Sequence, residues 1–186
     1  MENEEHRWKD INLPTPSGKS KEPELERETG ERRRGRDILV AVDHGPNSKH
    51  AFDWAVEHLC RMADTLHLVH VVSKSNFDVI CGLRLSSGSK DEVLLEVTES
   101  LMEKLAVEAY EVAMVQTEAR ILEGDAGKAI CREAARIQPA ALVMGTRGQG
   151  IIKSVLQGSV SEHCFHNCSS PVVIVPPKEP GDQSII

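Results

Sequence analysis

Aromatic side chains are scarce in this sequence: two tryptophans, one tyrosine and three phenylalanines make up 3% of its 186 residues. A core cannot be built around so few rings, and the aliphatic residues within a hydrophobic content of 40% must fill it instead. Runs of valine, leucine and isoleucine are typical of parallel strands that are covered by helices on both faces. The composition therefore suits a parallel sheet with helical layers.

Long hydrophobic runs are also lacking. No apolar stretch approaches the ~20 residues that span a bilayer, and the first ten residues, MENEEHRWKD, contain no hydrophobic signal core. Five cysteines, an odd number without a compact framework, fit reduced thiols better than disulfides. We therefore expect a soluble protein that does not enter a membrane and resides in the cytoplasm, with the nucleus left open.

The sequence also lacks an excess of basic residues over acidic ones. Twenty-two Lys and Arg stand against 29 Asp and Glu, which gives a formal net charge of −7. Proteins that grip nucleic acid neutralise its phosphates with basic faces. The charge balance therefore argues against nucleic acid as a partner.

The composition divides the chain into a domain and two tails. Residues 1–35 are charged, rich in Pro, Gly and Ser, and poor in large apolar groups, so burial cannot offset the entropy of ordering them, and disorder is expected. The arginines at 32–34 and 36 are either a nuclear address, a patch that steers phosphates, or a solvated charge run before a strand, and the last reading is favoured. Residues 36–177 form the predicted domain, and residues 178–186 a flexible C-terminal tail.

Within the domain, apolar runs alternate with helical patterns. The predicted strands are residues 37–43, 66–72, 118–122, 140–144 and 171–175; the predicted helices begin at Asn47 or Ser48 and end near Ala63, and then span residues 91–114, 126–137 and 160–167. Asp125 is placed to cap the third helix. Such alternation predicts an α/β fold with a doubly wound, Rossmann-like sheet of five parallel strands. Ligands of these sheets bind outside the carboxyl ends of the strands, where the winding reverses.

The most informative stretch is AALVMGTRGQGIIKSVLQGS, residues 140–159. A buried strand leads into Gly145, Gly148 and Gly150, and Gly158-Ser159 then precedes a helix. Glycines at a strand end let main-chain N–H groups approach a ligand, and a helix N-terminus adds N–H donors and the positive end of a dipole. The stretch therefore predicts a cradle for nucleotide phosphates, although glycines used only for a tight connection are an alternative. The Gly-Lys-Ser/Thr ending of a Walker loop is missing, so P-loop catalysis is not implied.

The spacing Gly145-x2-Gly148-x9-Gly158-Ser159 resembles the nucleotide-binding signature of universal stress proteins. The lead-in ALVMGTRG and the continuation GSVSEHCFHNCSSPVVIVPP resemble that family too, and the match covers roughly residues 36–177. A charged tail before a single family domain resembles the plant members. The resemblance implies an ATP-binding protein whose first and fourth strands border the crevice, with Mg²⁺ carried by the triphosphate.

By the same resemblance, the adenosine pocket maps onto strand ends and the phosphate site onto the glycine loop and the helix after it. The implied residues are Ala41, Val42, Asp43, Val71, Met144 and Gly145 for adenosine, and Gly145, Arg147, Gly148, Gly158, Ser159 and Val160 for the phosphates. Asp43 can accept a hydrogen bond from a ribose hydroxyl or an adenine amine, or it can merely cap a turn. Arg147 can place its guanidinium on phosphate oxygens or point into solvent. The family often has proline where this chain has Ala41, a change that a main-chain contact survives.

His163, Cys164, His166 and Cys168 form a cluster near the C-terminus. A C-x3-C pair on a helix with neighbouring histidines is not a familiar zinc spacing. The stripe of Val160, Cys164 and Cys168 is better explained by a helix face that packs on the core. We therefore assign no metal to this cluster.

Three functions remain open. The leading hypothesis is a nucleotide-dependent regulator or switch in the stress response, because no acid or base has a forced position beside a γ-phosphate. A slow ATP hydrolase or phosphotransferase that uses His44 or Asp43 to orient water is the enzyme alternative. A chaperone or redox-responsive interaction protein is the third. Universal stress proteins commonly pair through their last strand, so the resemblance also implies a homodimer through Val172, Val173, Ile174 and Val175, and an apolar strand edge invites such pairing.

Overall fold

The computed structural model describes residues 7–13, 35–72, 89–146 and 158–178, and for residues 89–95 it describes the backbone alone. The elements in these ranges are β1 (Trp8–Ile11), β2 (Asp37–Ala41), α1 (Pro46–Trp54), β3 (Thr65–Val72), α2 (Ser89–Ala113), β4 (Gln116–Glu123), α3 (Ala126–Ile137), β5 (Ala141–Gly145), α4 (Ser159–Asn167) and β6 (Val172–Val175). Among these helices, none combines the length and the apolar character that a bilayer crossing requires.

The strands form one sheet in the order β1-β4-β3-β2-β5-β6. β2 lies parallel to β3 on one side and to β5 on the other, and β4 and β6 continue the parallel pairing outward. The predicted doubly wound α/β fold is confirmed, and so is the expectation that its first and fourth parallel strands, β2 and β5, are neighbours. The sheet nevertheless has six strands rather than five, because β1 adds an antiparallel strand at the β4 edge.

β1 departs from the disorder that was expected of residues 1–35. Its residues pair with β4 from Trp8 opposite Leu122 to Ile11 opposite Ala119, and Ile11 is buried in the core. Asp10 also contacts Arg120 of β4, with 2.5 Å between Oδ1 and Nε. The prediction of disorder used the average composition of residues 1–35, and an average does not detect a four-residue strand. An open strand edge supplies the hydrogen bonds that these residues cannot make alone.

Alternating side chains divide the core into two layers. Ile38 and Val40 of β2 point to the layer packed by α1 and α2, whereas Leu39 and Ala41 point to the layer packed by α3 and α4. Within β2 and β5, runs of consecutive residues are buried because helices cover both faces of the sheet. The aliphatic core expected from the scarcity of aromatics is present in both layers.

Helix ends match the sequence prediction where a local signal sets them. Asp125 caps α3 as predicted, since its Oδ1 accepts a hydrogen bond from the Lys128 N–H at 3.0 Å. The first helix was expected to run to about Ala63, but α1 ends at Trp54 and a π-helical turn, Ala55–Leu59, follows. The chain then turns through Ala63, whose φ is +78°, into β3. The hydrophobic spacing did not reveal this earlier end.

Candidate functional site

The carboxyl ends of β2 and β5 lie side by side at one edge of the sheet. Val40 is paired with Val143, so the two strands end within two residues of the same level. β3 flanks β2 on its other side, and the direction of winding therefore reverses between β2 and β5. This is the position at which open α/β sheets bind ligands. The N-terminus of α1 lies at the same edge, because Asn47 contacts the end of β5.

Four of the predicted site residues meet in the apolar layer under α3 and α4. Met144 is buried there, and Ala41, Val71 and Val160 are partly buried against the same cluster. They come from three neighbouring strands and from the first turn of α4. The arrangement supplies aliphatic contacts of the kind that the flat faces of a base require.

Asp43 is exposed and stands just beyond β2. Its Oδ1 accepts a hydrogen bond from the Gly45 N–H at 2.7 Å, and its own N–H donates to the Ser48 Oγ at 2.8 Å. The turn that was the alternative explanation of this aspartate is therefore real. The hydrogen bond from Gly45 engages only Oδ1, one of the two carboxylate oxygens of Asp43. The same turn therefore presents an oriented carboxylate at the edge of the sheet.

Gly145 is the closest point of contact between β5 and α1. A Cβ built on Gly145 would lie 2.5 Å from the main-chain O of Asn47 and 3.2 Å from the Ser48 N. Backbone atoms cannot move aside as a flexible side chain can. Glycine is therefore required here for close packing, whatever the loop beyond it binds.

Gly145→Ala is expected to destabilise the fold by about 2 kcal/mol, because the added methyl group forces β5 and the start of α1 apart. Chemical unfolding of the purified protein measures this cost. Gly45→Ala is the matched control, since its Cβ would meet only the carboxylate of Asp43, with Oδ1 at 2.9 Å, and that end of a side chain can rotate away. Equal costs for the two variants would contradict the importance of the β5–α1 contact.

The N-terminus of α4 carries two more predicted residues, Gly158 and Ser159, next to Val160. Gly158 is buried and precedes the helix with φ −113° and ψ 137°; its N–H donates to the Ser161 Oγ at 3.2 Å, and that hydroxyl donates back to the Gly158 O at 2.9 Å. The first helical hydrogen bond runs from the Glu162 N–H to Gly158. The amides of Ser159 and Val160 precede it and are available for an anion. Arg147 and Gly148 lie outside the described residues.

Val42 is held from the other face of the sheet. It is buried in the layer under α1 and α2, and its carbonyl accepts a hydrogen bond from the Nδ1 of buried His70 at 2.9 Å. The ring of His44 contacts that of His70 edge to face, with 5.3 Å between centroids. Burial lowers the pKa of His70, and the proximity of His44 lowers it further, against opposing effects of the Val42 hydrogen bond and the Asp43 charge. A neutral His70 thus fixes the strand end that carries Asp43.

His70→Leu is expected to weaken the dependence of stability on pH between about pH 7 and 5. The folded-state pKa of His70 lies below its unfolded value of roughly 6.5, so the unfolded chain binds the extra proton and wild-type stability falls as the pH falls through this range. The variant also loses about 1 kcal/mol at neutral pH with the Val42 hydrogen bond. Urea unfolding at a series of pH values checks both effects.

Sequence reasoning missed two of the residues that shape this site. His70 was read as part of the apolar run LHLVHVV, although a histidine in a buried strand is itself a signal of a specific partner. Ser48 was read only as a helix start, yet it is buried and accepts the Asp43 N–H. In the part of the chain that the structure describes, no group of three or more His, Cys, Asp or Glu side chains is arranged to hold a metal ion.

Comparison with known sequences identifies the relatives of this domain. The model of the universal stress protein family matches residues 35–176. Universal stress protein PHOS32 of Arabidopsis thaliana is 32% identical over 158 residues, which cover 75% of this chain and 64% of that protein. The match therefore spans less than two thirds of PHOS32. The universal stress protein A-like protein of the same plant is 30% identical over 173 residues, covering 78% of this chain and 95% of that protein.

A solved structure shares the fold. It is that of a universal stress protein family protein from Arabidopsis thaliana with AMP bound; the TM-score is 0.55 and the sequence identity 22%, over 80% of this chain and 97% of that chain. At this identity the likeness is one of architecture. The strands and helices described above are therefore arranged as in this solved protein.

Proposed function

This chain belongs to the universal stress protein family, and on that premise we propose that it binds ATP, with Mg²⁺ on the triphosphate, at the edge between β2 and β5. The observation that carries the proposal is the convergence at one edge of an apolar group, an oriented carboxylate and a helix N-terminus. These are the three chemical features that a base, a ribose and a phosphate chain need. The AMP-bound relative with the same fold supports an adenine nucleotide as the ligand class.

The adenosine half of the ligand would contact the strand ends. Ala41, Val71 and Met144 supply the apolar surface. The carboxylate of Asp43 accepts a hydrogen bond from a ribose hydroxyl or an adenine amine, and its orientation is set by the Gly45 N–H. The main chain of Gly145 completes this half. Because the Val42 carbonyl already accepts from His70, its part in the site is to position Asp43.

The phosphates would contact the N-terminus of α4. The amides of Ser159 and Val160 donate to phosphate oxygens there, aided by the helix dipole. The exposed Ser159 hydroxyl adds a donor, and Gly158 keeps this approach free of a side chain. Arg147 and Gly148 belong to the proposed phosphate site on the sequence spacing alone.

We infer a switch in the stress response rather than a catalyst. The acidic group at the edge, Asp43, is held in a turn by its bond to Gly45, and His44 packs on His70. Both side chains therefore have structural partners of their own, which favours binding over hydrolysis. Nucleotide occupancy would alter the surface that partners meet.

The test is to identify nucleotide that copurifies with the protein. Denaturation of the purified chain followed by mass spectrometry is expected to release an adenine nucleotide in near-stoichiometric amount, and calorimetry of the stripped protein with Mg·ATP is expected to show saturable binding. A phosphate-release assay on the same sample distinguishes a switch from an enzyme. Protein free of nucleotide that gives no heat with saturating Mg·ATP would overturn the proposal.

A homodimer through β6 is part of the same proposal. Within the described part of the chain, β6 pairs only with β5, and its other edge is open. Val172, Val173 and Ile174 are only half-buried, so a second copy would cover both an edge and apolar side chains. Sedimentation velocity over a range of concentrations is expected to show a dimer. A monomer throughout that range would contradict it.

A further inference from the structure

α3 and α4 pack closely on the layer of the core that they share. A Cβ on Gly127 of α3 would lie 2.7 Å from the ring of His163 of α4, so the small residue permits the contact. The thiol of Cys164 donates to the Gly127 carbonyl at 3.8 Å. One turn further along α3 is Cys131, and just past the end of α4 is Cys168. The helix contact thus brings Cys131 to the C-terminal end of α4.

Three cysteines gather at this end. Cys164 is buried in the core as the sequence pattern predicted, and Cys131 and Cys168 are half-buried against the same cluster. Besides burial, the neighbouring Cys131 thiol raises the pKa of both Cys164 and Cys168. Cys131 is 32 residues before His163, where the His/Cys cluster of the sequence begins, and only the packing of α3 on α4 joins it to that cluster.

Cys168 differs from Cys131 and Cys164 in its backbone conformation. Cys168 is the residue that ends α4, with φ −78° and ψ 139°, so it stands outside the helical hydrogen-bond pattern. The main-chain N–H groups of Ser169 and Ser170 oppose part of the rise that burial causes in the pKa of Cys168. Cys131 faces it from α3. A disulfide requires specific Cα and Cβ separations, and an extended residue at a helix end meets them more readily than one within a helix.

We propose that Cys131 and Cys168 are a reversible oxidation site that hydrogen peroxide converts into a disulfide. The Cys168 thiolate attacks one oxygen of the peroxide, the O–O bond breaks, and the products are a sulfenic acid and hydroxide, which takes up a proton to become water. The Cys131 thiol, as it loses its proton, then attacks the sulfenic sulfur, the S–S bond forms and the second water leaves. Two thiols and one peroxide thus give one disulfide and two waters.

Burial explains why such a pair would stay reduced at rest. Burial and the adjacent Cys131 raise the pKa of Cys168 to about 11 despite the Ser169 and Ser170 amides, and burial also raises the pKa of Cys164, with Cys131, Cys168 and Asp125 adding to the effect. The thiolate that attacks peroxide is therefore scarce at neutral pH. Oxidation would be slow at low peroxide and would accumulate under sustained exposure.

Cys60 provides a matched control within the same chain. It is half-buried like Cys131 and Cys168, and burial together with the charge of Asp64 raises its pKa to about 11. It lies in the other layer of the core, against α1 and α2. If exposure and pKa alone governed oxidation, Cys60 and Cys168 would react alike. The proposal requires that only the paired thiol forms a bridge.

The experiment treats the reduced full-length chain with peroxide and maps the cysteines by proteolysis and mass spectrometry without reductant. The expected result is a peptide pair joined through Cys131 and Cys168, which dithiothreitol separates, in a monomer-sized band on a non-reducing gel. C131S and C168S should each abolish the bridge, whereas C60S and C81S should retain it. Thermal unfolding of the oxidised wild type is expected at a higher temperature than that of oxidised C168S, because the bridge closes a loop of the unfolded chain.

Three outcomes would overturn the proposal. The first is a bridge from Cys131 to Cys164, which would assign the pair differently. The second is oxidation of Cys168 to sulfinic or sulfonic acid with Cys131 left as a thiol. The third is a bridge that joins two chains through Cys60 or Cys81. Because the wild type itself is mapped, none of these results depends on the folding of a variant.

Discussion

Gly158→Asp is expected to lower the affinity for Mg·ATP on the order of 100-fold while the domain stays folded. The substitution places a carboxylate at the N-terminus of α4, where the proposed function places the phosphates, and the two negative charges repel each other. The backbone of Gly158 is extended, a conformation open to any residue. Aspartate is moreover a preferred residue before a helix, so α4 should not lose stability.

Gly158→Asn is the control for this prediction. Asparagine has nearly the same shape and capping ability but no charge, so it separates electrostatic repulsion from steric obstruction. Calorimetry with Mg·ATP and unfolding curves for both variants form the measurement. An aspartate variant that binds as tightly as the asparagine variant would show that the phosphates lie elsewhere.

Asp64→Ala is expected to cost about 3 kcal/mol of stability and to leave nucleotide affinity unchanged. Asp64 is buried and joins the start of β3 to the residue before β2. It accepts hydrogen bonds from the Arg36 N–H at 2.9 Å, from the Arg36 Nη2 at 2.6 Å and from the Arg61 N–H at 3.1 Å. The Arg36 Nε also donates to Asp64, at 3.3 Å, so four hydrogen bonds to the carboxylate are lost in the variant. The proposed nucleotide site lies at the opposite, carboxyl edge of the sheet, so binding is a separate readout.

The pH dependence of the same variant supplies a second check. Burial alone would raise the pKa of Asp64, but the hydrogen bonds and charge of Arg36 outweigh it and lower the pKa. The unfolded chain therefore takes up a proton first as the pH falls below about 4, and wild-type stability declines there. The alanine variant should lose less stability over the same acid range. Asp64→Asn, which keeps one oxygen acceptor, should fall between the two at neutral pH.

The class of fold and the main outline of the sheet could be predicted from the sequence. Apolar runs such as residues 37–43 and 140–144 are buried on both faces because helices cover them, and that condition leaves a local mark in the sequence. The Asp125 cap and the inward-facing position of Cys164 on α4 could also be predicted, because neighbouring residues in the chain determine them. The assignment of ligand-binding residues remains a prediction, because it depends on a resemblance in spacing rather than on contacts.

Glu133 illustrates what no local pattern reveals. It lies within α3 and is completely buried, with its carboxylate 2.6 Å from the Arg136 Nη2 and 3.2 Å from the Arg120 Nη1. In the sequence, nothing distinguishes Glu133 from the other charged residues of this amphipathic helix. Only the packing of α3 over β4, which brings Arg120 alongside, makes the burial of a carboxylate tolerable.

The sequence by itself therefore determined the α/β class and the family, since each depends on residues close together in the chain. Tertiary structure alone decided that β1 caps the β4 edge, that Gly145 must accommodate Asn47, that His70 holds Val42 and that Cys131 meets Cys168. These contacts join residues that are far apart in sequence. The packing of the layers determines which of these residues meet, and neither periodicity nor composition contains that information.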